Sequence, residues 1–331
     1  MSDPHFSIVV PTFRRPDALR ETLTALLALD YERDRYEVIV VDDGADEITA
    51  EIVNALWRQG LPLTLEAQHQ RGAARARNCG ARAASGELLL FCDDDILVEP
   101  SHLRLHSAAR ERHGDAVVNG TWEFAPAVIA ALQTTTFGRY RIELERHFAQ
   151  DAGGRPLDGH PGCLRMPLLG SWDLALRRDL FWELGGFDEA FPVAGAEDQD
   201  FSLRARAAGC LLLLDTGIRC LHNDNRLSLR SYCAREERSA QTMPFLARKY
   251  PKEFGEAAYV RENRPISRVD PPRLVTKKLL KWVLASGPVL ESLHRLTDLL
   301  EAAHLPARPL RRFYATLLGL HLFRGFRRTW A

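Results

Sequence analysis

Three consecutive carboxylates, Asp93, Asp94 and Asp95, follow the apolar run Glu87-Leu-Leu-Leu-Phe-Cys92. The run reads as a buried strand, and strand ends in open α/β sheets are where ligands bind. Adjacent carboxylates repel unless something positive holds them, and a divalent cation on oxygen ligands is the simplest such group. That cation would in turn hold a phosphate-bearing substrate. A bare Asp-Asp-Asp is also what an acidic surface turn looks like, so the other strand ends must decide.

Pro11-Thr12-Phe13-Arg14-Arg15 follows the first apolar run, and Asp42-Asp43-Gly44 the second. In a parallel sheet these ends lie on one edge with Asp93. Phe13 could then cover a base face, and Asp43 could accept a hydrogen bond from a base N–H. After the third run comes His69-Gln-Arg71-Gly72-Ala-Ala-Arg75-Ala-Arg77-Asn78-Cys79-Gly80. A helix starting near Gly72 points backbone N–H groups at an anion, and Arg71, Arg75 and Arg77 could pair with phosphate oxygens. The pattern is neither Gly-x-Gly-x-x-Gly nor a Walker loop. Taken singly, each segment has a plainer reading: a turn, solvated arginines, a surface helix. Polar groups repeated at successive strand ends favour a site.

The elements that would position these residues are strands at 6–11, 36–41, 61–67 and 87–92, with helices at 17–29, 48–59 and 72–84 between them. In the first helix Leu19, Leu23, Leu26 and Leu27 share a face. Strand and helix alternate with short connections, which predicts a parallel sheet covered on both faces. A helix at 100–113 and a strand at 116–119 follow. Residues 121–167 read as an insertion over the sheet, with a helix at 128–148 and a Gly/Pro-rich loop at 153–162 where a second substrate could bind. Then come a strand at 174–177, a helix at 179–184, a helix at 197–208 stopped by Gly209, and a strand at 210–215. His222 opens a polar loop, an Arg-rich helix spans 228–250, 265–272 is a linker, and amphipathic helices occupy 275–285, 289–303 and 309–327.

Composition sets further bounds. The 331 residues are 46% apolar and 27% charged, ordinary globular values. Forty-four basic side chains balance 44 acidic ones, so no overall field favours nucleic acid. From Arg273 onward, however, 11 Lys/Arg face 3 Asp/Glu. The six cysteines form no Cys-x-x-Cys and read as buried thiols of a reducing compartment. Met1 leads almost directly into a strand without a basic, apolar leader, and no stretch reaches the roughly 18 apolar residues of a membrane span. The expectation is a cytoplasmic protein that can touch the inner face of a membrane.

Five segments in order carry a resemblance: Val9 to Arg15; Val40-Val41-Asp42-Asp43-Gly44; Gly72 through Gly80; Leu90 to Asp95; and Gly185-Gly186-Phe187-Asp188-Glu189 followed by Glu197-Asp198-Gln199-Asp200-Phe201. Over residues 6–225 the chain resembles the family 2 glycosyltransferases of GT-A fold. The resemblance implies an α/β domain with a mostly parallel sheet and helices on both faces at 1–225, its donor half at 1–120 and acceptor half at 121–225, with a helical extension at 226–331. It implies transfer of a sugar from a nucleotide-diphosphate donor, by default a uridine one, to a hydroxyl of a glycan, lipid-linked or small-molecule acceptor, in cell-envelope or other glycan synthesis. Pro11, Thr12, Phe13 and Arg14 fall at the donor, with Thr12 and Phe13 in the base pocket. Asp43, with Asp42 beside it, contacts the base, and Arg77 and the Arg71-Gly72 loop face the diphosphate. Asp93 and Asp95 are the outer carboxylates of an Asp-x-Asp motif: Asp93 binds ribose or metal, and Asp95 binds the metal, Mn2+ or Mg2+. Asp94 is the middle residue, at the donor with Asp93, and the pattern does not demand its charge. Asp198 is the base of an inverting displacement, paired with Glu197. His222 is a further metal ligand or a structural histidine.

Ser171-Trp172-Asp173 departs from the pattern, where many members carry a small residue and Asn; Asp173 would alter sugar selection or serve as a structural cap. Two rivals stay open. A sugar-phosphate nucleotidyltransferase should carry a Gly-rich loop after the first strand, and 11–16 has no glycine. A non-catalytic sugar-nucleotide-binding protein would not need Asp43, Asp93, Asp95 and Asp198 together. The C-terminal helices, with Lys277, Lys278, Lys281, Arg311, Arg312, Arg324, Arg327 and Arg328 beside Leu, Trp and Phe, would lie on an anionic membrane or pack on the catalytic domain with solvated basic faces.

Overall fold

A computed structural model describes residues 4–150, 153–191, 193–303 and 306–330, with side chains 148–150 left aside. The chain forms two compact units. One comprises Met1–Ala125, Ala149–Ala190 and Glu197–Asp224; the other comprises Pro126–Phe148, Phe191–Ala196 and Asn225–Ala331. Residues 126–148, expected within the acceptor half of the first domain, thus group with the C-terminal helices.

In chain order the first unit opens with β1 (Phe6–Thr12), α1 (Pro16–Leu27), β2 (Tyr36–Asp42), α2 (Glu47–Trp57), β3 (Leu63–Ala67), α3 (Ala73–Ala83) and β4 (Leu88–Cys92). Pro16 suits the first turn of α1 because its missing N–H would be unpaired there anyway. Asp46 caps α2 by accepting from Ile48 N at 3.1 Å. There follow β5 (Ile96–Val98), α4 (His102–His113) and β6 (Val117–Phe124), then α5 (Pro126–Gln133) and α6 (Thr136–Gln150) of the second unit. The first unit closes with β7 (Arg155–Leu157), β8 (His160–Arg165), β9 (Asp173–Arg177), α7 (Arg178–Glu183), α8 (Glu197–Ala207) and β10 (Leu212–His222).

The strands form one sheet in the order β3-β2-β1-β4-β9-β6-β10-β8-β7, with β5 beside β10. The first four are parallel, and the register Thr12↔Asp42↔Ala67 lines up their C-terminal ends. The remainder is mixed rather than parallel: β9 runs antiparallel to both β4 and β6. Both faces of the β1–β4 half are covered. Ile8, Val10 and Val40 pack with Leu19, Leu23 and Ile52 on one side, and Val9, Val41 and Phe91 with Phe181, Phe187 and Phe201 on the other.

Three expected elements differ. The Gly/Pro-rich loop at 153–162 contributes to a hairpin, β7 with β8, around Gly159 at φ 76°. The strand expected at 210–215 continues to His222, because a register shift between Asp215 and Arg219 absorbs Thr216-Gly217 without ending the pairing. The helix expected at 128–148 breaks into α5 and α6; a Cβ at Gly138 would lie 2.0 Å from Leu132 O, so only glycine allows that approach.

The second unit continues with α9 (Leu229–Ser239), α10 (Met243–Lys249), α11 (Pro251–Phe254), α12 (Ala258–Asn263), α13 (Pro272–Leu284), α14 (Gly287–Ala302) and α15 (Ala307–Thr329). The single helix expected at 228–250 is two, since Pro244 is tolerated only in a first turn and therefore starts α10. Leu310, Tyr314, Leu317, Leu320 and Phe323 of α15 form a core with Tyr232 and Cys233 of α9 and Phe137 of α6. At Gly325 a Cβ would lie 1.9 Å from Glu237 O, so α15 meets α9 backbone to backbone.

Candidate active site

The aligned ends of β1, β2 and β4 bring the expected residues together. Thr12 Oγ1 donates to Asp94 Oδ2 at 2.7 Å. Arg15 reaches the same cluster, with Nη1 2.5 Å from Asp94 Oδ1 and Nη2 2.7 Å from Asp95 Oδ2. Asp94 and Asp95 are buried, whereas the Asp93 side chain is 34% exposed. Asp94 is therefore no spare middle residue: it ties β1 to the turn after β4. Burial and the adjacent Asp95 raise the Asp94 carboxyl to about 7, against the pull of Arg15. Burial also opposes ionisation of Asp95, but His222 and Arg15 outweigh it and hold Asp95 well below the usual carboxylate range. Arg15 was not singled out from sequence, because Arg14-Arg15 reads as solvated surface. Arg14, left-handed at φ 53°, is exposed and stacks over Phe13 at 5.1 Å.

His222, at the end of β10, has Nε2 3.3 Å from Asp95 Oδ2. Phe124 stacks on its ring at 6.1 Å and Trp122 meets it edge-on at 5.0 Å. These aromatics were missed because the strand predicted at 116–119 stopped short of them. A carboxylate and an imidazole this close are a donor set that suits Mn2+ or a similar ion. Asp93, the other expected ligand, instead accepts from Arg77 Nη2 at 2.7 Å.

Asp42 and Asp43 stand at the end of β2. Asp42 accepts from Gly44 N at 2.8 Å and Asp46 N at 2.7 Å, which builds the turn. Asp43 accepts from Gln68 Nε2, Arg71 N and Gly72 N at 2.8, 2.6 and 2.9 Å. The anion beside the start of α3 is thus Asp43 itself, which shapes the loop before the helix. Gly72, at φ 88°, makes the bend. Pro11 is half-buried in β1 opposite Val41. Arg71 is exposed in the loop. Arg75, expected at phosphate, instead pairs with Glu189 at 2.7 Å.

Arg77 joins the two halves of the site. It is buried, and its Nη1 donates to Glu197 Oε1 at 2.9 Å while Nη2 holds Asp93. Burial disfavours its charge, but Asp93 and Glu197 hold it protonated. Glu197 starts α8, and Asp198 follows, accepting from Gln199 N at 2.7 Å. Burial, then the charge of Glu197, raises Asp198 to about 7. A Cβ at Gly170 would lie 2.6 Å from Trp172 Cδ1 and 3.7 Å from Asp198 Oδ2, so the half-buried indole and this carboxylate flank one glycine. Trp172 is a site candidate that sequence reasoning passed over for its neighbour.

That neighbour, Asp173, is fully buried. It accepts from Gly120 N at 3.0 Å and lies 2.8 Å from His102 Nε2 and 3.2 Å from His106 Nε2. This partner set assigns Asp173 to the structural alternative; the i,i+4 histidines of α4 were the sequence signal. Gly186-Phe187-Asp188-Glu189 also has a structural part. Asn78 bonds Phe187 N and O at 2.9 and 2.8 Å, and Phe187 packs on Phe91.

Residues 7–165 match the family model Glycosyl transferase family 2. The chain is 28% identical over 285 residues to a validoxylamine A glucosyltransferase of Streptomyces hygroscopicus subsp. jinggangensis, covering 80% of this chain and 65% of that one. It therefore spans less than two thirds of that relative. Among solved structures it is similar to the mannosyltransferase PcManGT of Pyrobaculum calidifontis in complex with GDP-Man and Mn2+ (TM-score 0.60, 19% identity, 98% of this chain and 88% of that one). It is also similar to S. aureus TarS 1-349 in complex with UDP (TM-score 0.51, 18% identity, 98% and 90%). At these identities the structural likeness concerns the fold alone, the GT-A fold.

Proposed function

We propose that this chain, whose residues 7–165 match the model of glycosyl transferase family 2, moves a sugar from a nucleotide-diphosphate donor to an acceptor hydroxyl with inversion. One observation carries this reading: buried Arg77 links Asp93, at the strand ends, to Glu197 beside the raised carboxyl of Asp198. Phe13 and the loop shaped by Asp43 receive the base, uracil by preference. Among the described residues Arg71 makes none of the ion pairs that engage Arg75 and Arg77, and it meets the diphosphate. Asp95 and His222 would hold a divalent ion, which when bound offsets charge on the leaving diphosphate. Arg77 keeps Asp93 aimed and supplies positive charge to the same region. Asp198 takes the proton of the acceptor hydroxyl as its oxygen attacks the anomeric carbon. Glu197, engaged by Arg77, positions that helix start. A nucleotidyltransferase is disfavoured because the β1 end gives its inward position to Arg15 rather than to a Gly-rich loop. The acceptor is a glycan, a lipid-linked glycan or a small molecule, and peripheral contact with a membrane through the basic C-terminal helices belongs to the same proposal, at the cytoplasmic face.

The test is turnover of a panel of UDP-, GDP- and dTDP-sugars with Mn2+, comparing wild type with Asp198→Asn. Transfer or donor hydrolysis by wild type, reduced at least about a hundredfold in the variant, is expected. Near wild-type turnover by the variant would remove Asp198 from the base role.

A further inference from the structure

In the second unit α13 is turned inside out. Its buried residue is Lys278, whose ammonium lies 2.6 Å from Asp270 Oδ2 and 3.2 Å from Pro265 O. Leu279, Leu280, Trp282 and Val283 are instead 52%, 57%, 59% and 53% exposed. Their i, i+1, i+3, i+4 spacing places them on one side of the helix. Ile266 and Val269, in the loop before α13, are exposed as well.

This apolar surface is not flat. A cavity of about 400 Å3 is walled by Ile266, Leu279, Trp282 and Phe323, with Arg327 at its edge. Another, of about 540 Å3, is lined by Trp282, Val283 and Phe323 together with Arg324, Arg327 and Arg328. The Arg327 guanidinium lies 5.9 Å from the Trp282 ring and 5.6 Å from that of Phe323. Apolar walls with a cationic edge suit an amphiphile that carries negative charge at its polar end. At the second cavity three arginines face one carboxylate, Glu237, which Arg324 and Arg328 approach at 3.3 and 2.9 Å, so this end is net cationic and complements an anionic partner. Among the described residues no helix is long and apolar enough to cross a membrane.

We propose that this face of α13, with the α15 arginines, is a docking surface for the anionic surface of a lipid bilayer. Trp282, Leu279, Leu280 and Val283 enter the boundary between headgroups and acyl chains, and Arg327 meets lipid phosphate. An aromatic side chain with cations beside it is the composition such interfaces favour, and an exposed apolar patch of this kind needs a partner. The inference deepens the transfer reading, on which it rests for its purpose: it brings the protein to the surface where a lipid-linked acceptor resides.

The test floats the full-length protein with phosphatidylcholine vesicles, with and without phosphatidylglycerol. Flotation only with phosphatidylglycerol, weakened by salt, is expected. The exposed-site variants Leu280→Glu with Trp282→Glu, and Arg327→Glu, should each weaken binding at least about tenfold while the thermal midpoint and UDP binding stay unchanged. Absence of flotation with both vesicle types, or flotation of the Glu variants equal to wild type, overturns the proposal. So does a wild-type dimer in sedimentation velocity that the apolar variant converts to monomer without any vesicle binding, which would assign the face to a second copy. Flotation without binding of any nucleotide would leave the docking surface standing and remove the transfer reading.

Discussion

Two regions of this protein break the usual partition of side chains in opposite ways. In the sheet-containing unit, charge is buried and matched: Arg15 holds Asp94 and Asp95, and Arg77 holds Asp93 and Glu197. In the helical unit, α13 buries Lys278 against Asp270 and leaves a tryptophan and three aliphatic side chains outside. Buried charge costs stability unless paired, and exposed apolar surface gains nothing in folding. Both arrangements therefore point to ligands. The difference lies in what each would exchange: the crevice offers charged partners that a donor and ion can re-pair, while α13 offers area that a lipid surface can cover.

The comparison is broken most severely at Arg77. Arg77→Ala removes the buried guanidinium that Asp93 and Glu197 share, and a loss of about 3–5 kcal/mol is expected in urea unfolding, with loss of transfer. An unchanged midpoint would mean that this pair does not organise the site. Asp198→Asn should do the reverse. The raised carboxyl binds its proton more tightly in the folded chain than in the unfolded one. The stability it contributes is present at acid pH and is lost as pH rises from the ordinary carboxylate range through about 7. The Asn variant, which cannot ionise, should be more stable than wild type at pH 8 by up to about 4 kcal/mol and nearly equal at pH 4, while turnover collapses. Thermal melts at the two pH values check this.

For wild type, the same proton sets the rate profile. Asp198 must be ionised to accept the hydroxyl proton, so kcat/KM should fall about tenfold per pH unit below about 7. A profile flat from pH 5 to 8 would contradict the base assignment. Within the acidic triplet, Asp94→Asn removes one of the two ion pairs that hold Arg15 and should cost about 1–3 kcal/mol of stability. Asp93→Asn, at the more exposed position, should cost less stability and more activity. Equal behaviour in melts and turnover would erase that division. The smallest effect is expected on α13, where Trp282→Glu should change folding stability by no more than about 0.5 kcal/mol while vesicle binding weakens.

The alternation of strands and helices up to Cys92 was legible because each strand is a short apolar run and each helix has one apolar face. The β7–β8 hairpin was not, since its glycines and prolines carry the composition of a loop and its pairing partner is distant in sequence. The run from Leu212 to His222 was cut short because Thr216-Gly217 looks like a turn, whereas a bulge keeps it in the sheet. Site residues were legible where a strand end exposes them, as at Thr12, Asp43 and Asp93 to Asp95. Arg15 was not, because nothing local distinguishes it from Arg14; only the left-handed backbone at Arg14 turns its neighbour inward. The division of labour among the acids depends on long-range partners, such as the 82 residues between Thr12 and Asp94. Asp173 shows the same limit, its histidines lying some 70 residues away. The reversed helix α13 was half legible: its cations were counted, but which side faces solvent is fixed by the Lys278–Asp270 pair.

The central claim is that the β1–β4 edge binds a nucleotide diphosphate with a divalent ion at Asp95 and His222. Calorimetric titration of UDP, GDP and dTDP into the protein with Mn2+ tests it most directly. Saturable binding of at least one nucleotide is expected, strongly weakened by chelation and by Asp95→Asn. Binding that survives both would contradict the ion's place, and absence of binding for all three nucleotides would contradict the donor site itself.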